Sequence, residues 1–146
     1  MDEQAARSAF ELAIDTQKPL FEEFFLARLL GLRFEYVDEQ CIISFEVKDF
    51  MFNPQGSLHG GIIATVLDIS MGHLLNHLQG PGTTLEMKTQ YVKAARQGTV
   101  KCYGEFIRQG RNISFLKSTM TDEDGATIAF ATATWAKLRK PAQDAA

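Results

Sequence analysis

The stretch Asn53-Pro54-Gln55-Gly56-Ser57-Leu58-His59-Gly60-Gly61, running straight into Ile62-Ile63-Ala64-Thr65-Val66-Leu67-Asp68-Ile69-Ser70-Met71-Gly72-His73-Leu74-Leu75-Asn76-His77-Leu78, decides the fold. Its first part is a turn, because proline fixes one φ and glycine permits an unusual one. From His59 to about Leu78 the chain is apolar almost all round and contains no proline, so it reads as one long helix buried on most sides. Helical spacing puts Gly61, Ala64, Thr65, Asp68 and Gly72 on roughly one face, a stripe of small residues carrying one acid.

Working outward, four strand-like segments follow, roughly Thr83 to Lys93, Thr99 to Arg108, Asn112 to Thr121 and Ala126 to Leu138. Turns at Arg96-Gln97-Gly98, Gln109-Gly110-Arg111 and Asp122-Glu123-Asp124-Gly125 separate them, as in an antiparallel meander. Upstream, Leu32 to Asp38 and Cys41 to Val47 form a hairpin pattern around Glu39-Gln40. Two helices are expected before that, about Ala5 to Asp15 and Pro19 to Leu30, with Pro19 suited to a first turn and Gly31 to a C-cap. The order fits the α+β class, an antiparallel sheet wrapped around a long central helix, with N-terminal helices. One domain is expected over 1–146: a helical extension (1–30), a core (31–138) and a tail (139–146) whose end, Pro141 to Ala146, frays.

The bulk properties agree with a single folded unit. A chain of 146 residues buries most of its apolar surface around one core, and 45% apolar with 23% charged residues is an ordinary globular balance. The formal net charge of −3, with Lys and Arg scattered, excludes the electrostatic footprint of a nucleic-acid binder. The N-terminus MDEQAARSAFELAID lacks a secretory pattern, and no apolar run reaches membrane-spanning length, so a cytoplasmic protein without a membrane partner is expected. Cys41 and Cys102 stand in isolated strand contexts without metal or redox spacing, and read as reduced core residues. The chain has no Gly-x-Ser-x-Gly elbow, HExxH or phosphate loop. No metal and no cofactor are expected.

Chemistry concentrates between Asn53 and Asp68. Glycines at the head of a helix let a ligand approach unpaired backbone amides, with the positive end of the macrodipole behind them. Such amides suit a carbonyl oxygen gaining negative charge. Asp68 lies among apolar residues, where a carboxylate is costly without a reason. A structural acid bonded to neighbouring amides or a hydroxyl is the alternative for Asp68, and a histidine satisfied by the chain is the alternative for His59. His73 and His77 are expected as ordinary, partly exposed residues.

The pattern Asn53-x-x-Gly56-x-x-His59-Gly60-Gly61, followed by Leu67-Asp68 and Gly72, resembles the signature of hotdog-fold thioesterases of the phenylacetic acid degradation (PaaI-like) type, within the 4-hydroxybenzoyl-CoA thioesterase superfamily. The element order from about Gly31 to Leu138 resembles that fold as well. The resemblance implies an acyl-CoA thioesterase in which Asp68 is general base or nucleophile. Gly60 or Gly61 would then polarise the carbonyl, while His59 and Asn53 orient the turn or contact the carbonyl oxygen. It matches Thr84 to a hydroxyl residue that helps hold water, with a plain strand threonine as the alternative; Glu86, on the same strand face by simple alternation, is a structural acid or part of the rim.

Gly110-Arg111-Asn112 resembles the turn that meets the nucleotide end of coenzyme A, where Arg111 suits a phosphate; a solvated hairpin turn is the alternative. The substrate itself carries the coenzyme A. The resemblance also implies a homo-oligomer, at least a dimer and in many relatives a tetramer, with the glycine turn of one subunit facing the acid of another. Candidate residues for an aryl or medium-chain acyl pocket are Phe50, Met51, Phe52, Met71, Leu74 and Leu75. Two rivals stay open: a hotdog dehydratase or hydratase using His59 with an acid, and a non-catalytic acyl-CoA-binding module.

Overall fold

The alternation of small, apolar and polar residues downstream of the helix builds an antiparallel sheet whose inner face closes on that helix. The structure, a computed structural model, describes residues 1–139; the expected frayed end, Pro141 to Ala146, lies outside the described residues. Helices α1 (Glu3–Thr16) and α2 (Phe25–Leu29) precede strands β1 (Arg33–Val37) and β2 (Gln40–Glu46). The long helix α3 (Gly60–Gln79) comes next, then β3 (Gly82–Tyr91), β4 (Thr99–Arg108), β5 (Ile113–Thr121) and β6 (Thr127–Lys137). The six strands form one sheet in the order β1-β2-β4-β5-β6-β3, every pairing antiparallel. This is the expected α+β architecture, with β1 and the longer β3 as edges.

Helix α3 buries Ile63, Val66, Leu67, Ser70, Met71, Leu74 and Leu75 against the sheet. These recur at three and four residues and so form one face. The helix is not enclosed on every side, however, because the stripe of Gly61, Ala64, Thr65, Asp68 and Gly72 stays half-buried or exposed. Where α3 crosses the sheet the approach is close: a Cβ on Gly104 would lie 2.6 Å from the Ser70 carbonyl oxygen, and one on Gly72 would lie 2.5 Å from the Trp135 ring. Ser70 Oγ and Ser118 Oγ are 2.6 Å apart, and Ser70 Oγ donates to the Leu67 carbonyl at 2.7 Å, so these buried hydroxyls are satisfied.

The second expected helix is much shorter than Pro19 to Leu30. Segment 18–24 is a looped strap instead, with the Lys18 amide donating to the Glu23 carbonyl at 2.8 Å and Glu22 at φ 67°. Tertiary contacts override helix propensity here. The Glu22 amide donates to His73 Nε2 at 3.3 Å, and the Tyr36 hydroxyl donates to the Glu22 carboxylate. Tyr36 in turn stacks on His77 with ring centroids 4.1 Å apart.

His73 is therefore not the partly exposed residue its sequence context suggests. It is 5% exposed, stacked on Phe34 and edge-on to Phe21, with Phe24 also against it. Burial lowers its pKa, the nearby Glu22 carboxylate and a hydrogen bond to Ile69 opposing that shift. A neutral imidazole can accept the Glu22 amide; a protonated one cannot. Because the folded value lies below the ordinary 6.5, stability present above that pH is lost as the pH falls through it. In thermal melts across this range His73→Phe, which keeps the aromatic packing, should flatten the acid-side decline of Tm; parallel declines in variant and wild type would show that His73 is not its source.

Candidate active site

The turn ahead of α3 is held by its own side chains. Asn53 Oδ1 accepts from the amides of Gln55 (3.0 Å) and Ser57 (3.2 Å), its Nδ2 donates to Ser57 Oγ at 3.1 Å, and its own amide donates to the Ser57 carbonyl at 2.8 Å. Asn53 thus staples the loop. Gly56, at φ 77°, sits where a side chain would be strained. The Leu58 amide donates to Ala95 and the His59 amide to Met51, which anchors the turn on the loop after β3 and on the short helical turn Asp49–Met51.

His59 caps α3. Its Nδ1 accepts the Gly61 amide at 2.8 Å, and its carbonyl accepts the amides of Ile62 and Ile63. That geometry puts the proton of a neutral His59 on Nε2. It also separates two residues that the sequence left equivalent. The Gly61 amide is occupied, whereas the Gly60 amide has no acceptor among the described residues. Gly60 lies in a cleft of about 320 Å³ with Asn53, Ser57, Leu58, Ile63 and Tyr91. The Tyr91 hydroxyl donates to the Gly60 carbonyl at 2.9 Å, and a Cβ on Gly60 would meet the Tyr91 ring at 3.3 Å. No sequence signal marks Tyr91: nothing in the period of β3 tells that its last residue folds back onto the head of α3.

Asp68 lies on the half-buried stripe and accepts the Thr84 hydroxyl at 2.7 Å. Burial raises its pKa, and the Thr84 hydrogen bond works the other way. Among the described residues no cation pairs with it. Thr84 reaches it because β3 carries a bulge at Leu85: Thr84 pairs with Trp135 but Glu86 pairs with Thr134. The extra residue reverses the alternation beyond it. Glu86, expected on the Thr84 face, therefore lies on the outer face, where the Thr134 hydroxyl donates to it at 3.3 Å.

The Gly110-Arg111-Asn112 turn is at the same end of the sheet. Thr84 and Ser114 both pair with Trp135, from opposite sides, so the strand segment leading from this turn lies two strand spacings, about 10 Å, from Thr84. Arg111 and Asn112 are exposed. Of the candidate pocket residues, Met51, Met71, Leu74 and Leu75 are buried in the core, whereas Phe50 and Phe52 are half-buried. Burial pushes the Cys41 thiol up to about 12 and the Cys102 thiol up to about 11, so both remain protonated core residues. No cluster of metal-ligating side chains occurs among the described residues, and no helix there is long and apolar enough to cross a membrane.

A profile of the Thioesterase superfamily matches residues 55–129, which contain the turn from Gln55 onward, α3 and most of the sheet. The chain is 31% identical over 114 residues to a Pseudomonas aeruginosa protein carrying an esterase name, covering 74% of this chain and 78% of that one. It is 27% identical over 128 residues to the medium/long-chain acyl-CoA thioesterase YigI of Salmonella typhimurium, covering 74% and 82%. The crystal structure of the BH2602 protein from Bacillus halodurans with CoA superposes with a TM-score of 0.85 over 96% of this chain and 95% of that one, at 22% identity. With the profile spanning the site and the fold shared end to end, the chain belongs to the Thioesterase superfamily and is a thioester hydrolase of the hotdog fold.

Proposed function

We propose that the protein hydrolyses an aryl- or medium-chain acyl-CoA to the free acid and CoA, as in the PaaI-like branch, with Asp68 as general base or nucleophile and the Gly60 amide as oxyanion donor. The observation that carries this reading is Asp68 itself, a half-buried carboxylate with a hydroxyl partner and, among the described residues, no paired cation. Water attacks the thioester carbonyl as Asp68 takes its proton, or Asp68 attacks and water then cleaves the mixed anhydride. In either route the C–S bond breaks and the thiolate leaves, taking up a proton. Both need the ionised carboxylate, so activity rises with pH through its elevated pKa. No cofactor takes part. The medium/long-chain relative and the half-buried Phe50 and Phe52 near the turn support an apolar acyl group.

Two features support a site shared between subunits of a homodimer or a tetramer. Gly60 and Asp68 are eight residues apart on one helix, about 12 Å along its axis. A single carbonyl needs donor and attacking group each about 3 Å away, so the two serve one carbonyl only from different protomers. The ten-residue edge strand β3, whose outer edge pairs with no strand among the described residues, offers the surface for a second copy. The dehydratase alternative loses support because His59 Nδ1 is committed to capping Gly61. A cytoplasmic location is part of the same proposal.

Thiol release from a panel of acyl-CoA compounds tests the activity: Asp68→Asn should lower kcat by about 10²–10⁴-fold, and binding without thiol release by the wild type would end the enzyme reading. Thr84→Val removes the bond that opposes the raised pKa of Asp68, so the acidic limb of the kcat/KM profile should move to higher pH; an unmoved limb would separate Thr84 from the reacting acid.

Gly60→Pro deletes the open amide at the first helical position, which tolerates proline, and His59 at φ −60°, ψ 133° already has the conformation that precedes one. With the Tyr91 ring yielding a few tenths of an ångström to the new Cβ, it should fold and lose about 10²–10³-fold in kcat. Co-refolding Gly60→Pro with Asp68→Asn in equal amounts should restore about one quarter of wild-type activity, because half the dimers are mixed and each has one intact site. No recovery would place both groups in one protomer.

A further inference from the structure

The Gly110 turn is locked to the rest of the molecule by contacts that the catalytic reading does not use. Gln79, the last residue of α3, donates from Nε2 to the Gly110 carbonyl at 3.2 Å. Ser114, the second residue of β5, accepts the Gly110 amide at 3.1 Å and lies 3.5 Å from both Gln79 Oε1 and the Gly110 carbonyl. On the far side of the turn the Lys137 amide donates to the Asn112 carbonyl at 2.8 Å. The ring is tight enough that a Cβ on Gly110 would overlap the Ile113 carbonyl oxygen at 1.7 Å.

Gln79 is half-buried and Ser114 is 2% exposed, while Arg111 and Asn112 at the tip are open. A side-chain pair, one member buried and one half-buried, that holds the base of a turn whose tip is exposed fixes the direction in which that tip presents its groups. Because Gln79 and Asp68 share α3, the same contacts set the separation between the turn and the acid. A cation meeting a phosphate benefits from this, since preorganisation removes part of the ordering cost of binding.

We propose that Gln79 and Ser114 are positioning residues for the nucleotide end of the substrate, fixing the Gly110-Arg111-Asn112 turn relative to Asp68; this rests on the reading of that turn as the site of the CoA phosphates. The two residues do not touch the thioester. They act on affinity for the nucleotide portion and leave the chemical step alone.

The test compares one acyl group, the one hydrolysed fastest, carried on CoA and on N-acetylcysteamine, which keeps the thioester but has no nucleotide. Gln79→Met keeps the length and apolar stem without the hydrogen bond; Ser114→Ala removes the hydroxyl. Each should raise KM for the acyl-CoA, and the Kd for CoA itself by calorimetry, about five-fold, the worth of one neutral hydrogen bond. The kcat on acyl-CoA and the kcat/KM on the N-acetylcysteamine thioester should not change. Arg111→Ala serves as the reference. If Arg111→Ala weakens CoA binding and Gln79→Met does not, the positioning role is wrong while the nucleotide reading stands. If Arg111→Ala also leaves CoA binding unchanged, the nucleotide reading fails and takes this inference with it. Equal losses on both substrates would mark the pair as general scaffold and overturn the proposal. Gln79→Met, at a half-buried position, keeps the test open should Ser114→Ala fold poorly.

Discussion

The height of α3 above the sheet governs the site, and one backbone contact sets it. Ser70 meets the sheet at Gly104, the strand residue whose missing side chain lets the helix carbonyl come close, and the Ser70 and Ser118 hydroxyls satisfy each other beneath it with the Cys102 thiol 3.0 Å from Ser118. A polar contact inside an apolar interface has few acceptable geometries, because the Ser118 hydroxyl left without a partner would cost about 1–3 kcal/mol. Apolar packing by Val66, Leu67, Met71 and Leu74 tolerates small slides along the helix; the serine pair does not. Two residues to either side of Ser70 stand Asp68 and Gly72. Their depth is fixed with it, Gly72 under the Trp135 ring and Asp68 within reach of Thr84.

That placement creates an electrostatic tension which the sheet relieves only in part. Asp68 is desolvated enough for its proton to be held above the ordinary carboxylate range, and the Thr84 hydroxyl opposes this. A cation would neutralise the acid and weaken it as a base; a fully apolar setting would keep it protonated. One neutral donor leaves it between those limits. The donor comes from a strand irregularity, because without the extra residue at Leu85 the side chains beyond it would point to the opposite faces. The same economy appears at the head of α3, where His59 satisfies one amide and leaves its neighbour open.

Much of the architecture was legible in the sequence because its signals are periodic. The four strands after α3 begin and end within two residues of their expected bounds, set by glycine-containing turns and by alternation; α3 starts where His59-Gly60-Gly61 said it would. What escaped was set by contacts distant in sequence. The strap before α2 is looped because Glu22 meets His73, 51 residues away, and nothing local to Pro19 to Leu30 carries that information. His73 looked like a solvent-side helix residue because Phe21, Phe24 and Phe34, which cover it, lie in other elements. Glu86 lies off the face that simple alternation predicts because a bulge shifts register without a compositional mark. Gly60 and Gly61 were identical as letters and became distinct only once the imidazole direction was known. Met51, Met71, Leu74 and Leu75 have the right chemistry for an acyl pocket, yet hydrophobicity alone does not tell a pocket wall from the core.

The proposed division of labour between protomers follows from the helix itself. Its first turn is the place with surplus amides and a favourable dipole, so an oxyanion donor belongs there. A carboxylate in that turn would compete for the same amides and be acidified by them, which would spoil it as a base. Placing the acid two turns further on escapes this, at the cost of moving it about 12 Å from the donor. In the proposed dimer, a neighbouring copy of the helix running the other way across the two-fold axis would bring a second donor to the first acid. On that proposal the small residues on the α3 stripe would have a purpose that a monomer does not supply, leaving room for substrate between the acid and the turn that faces it.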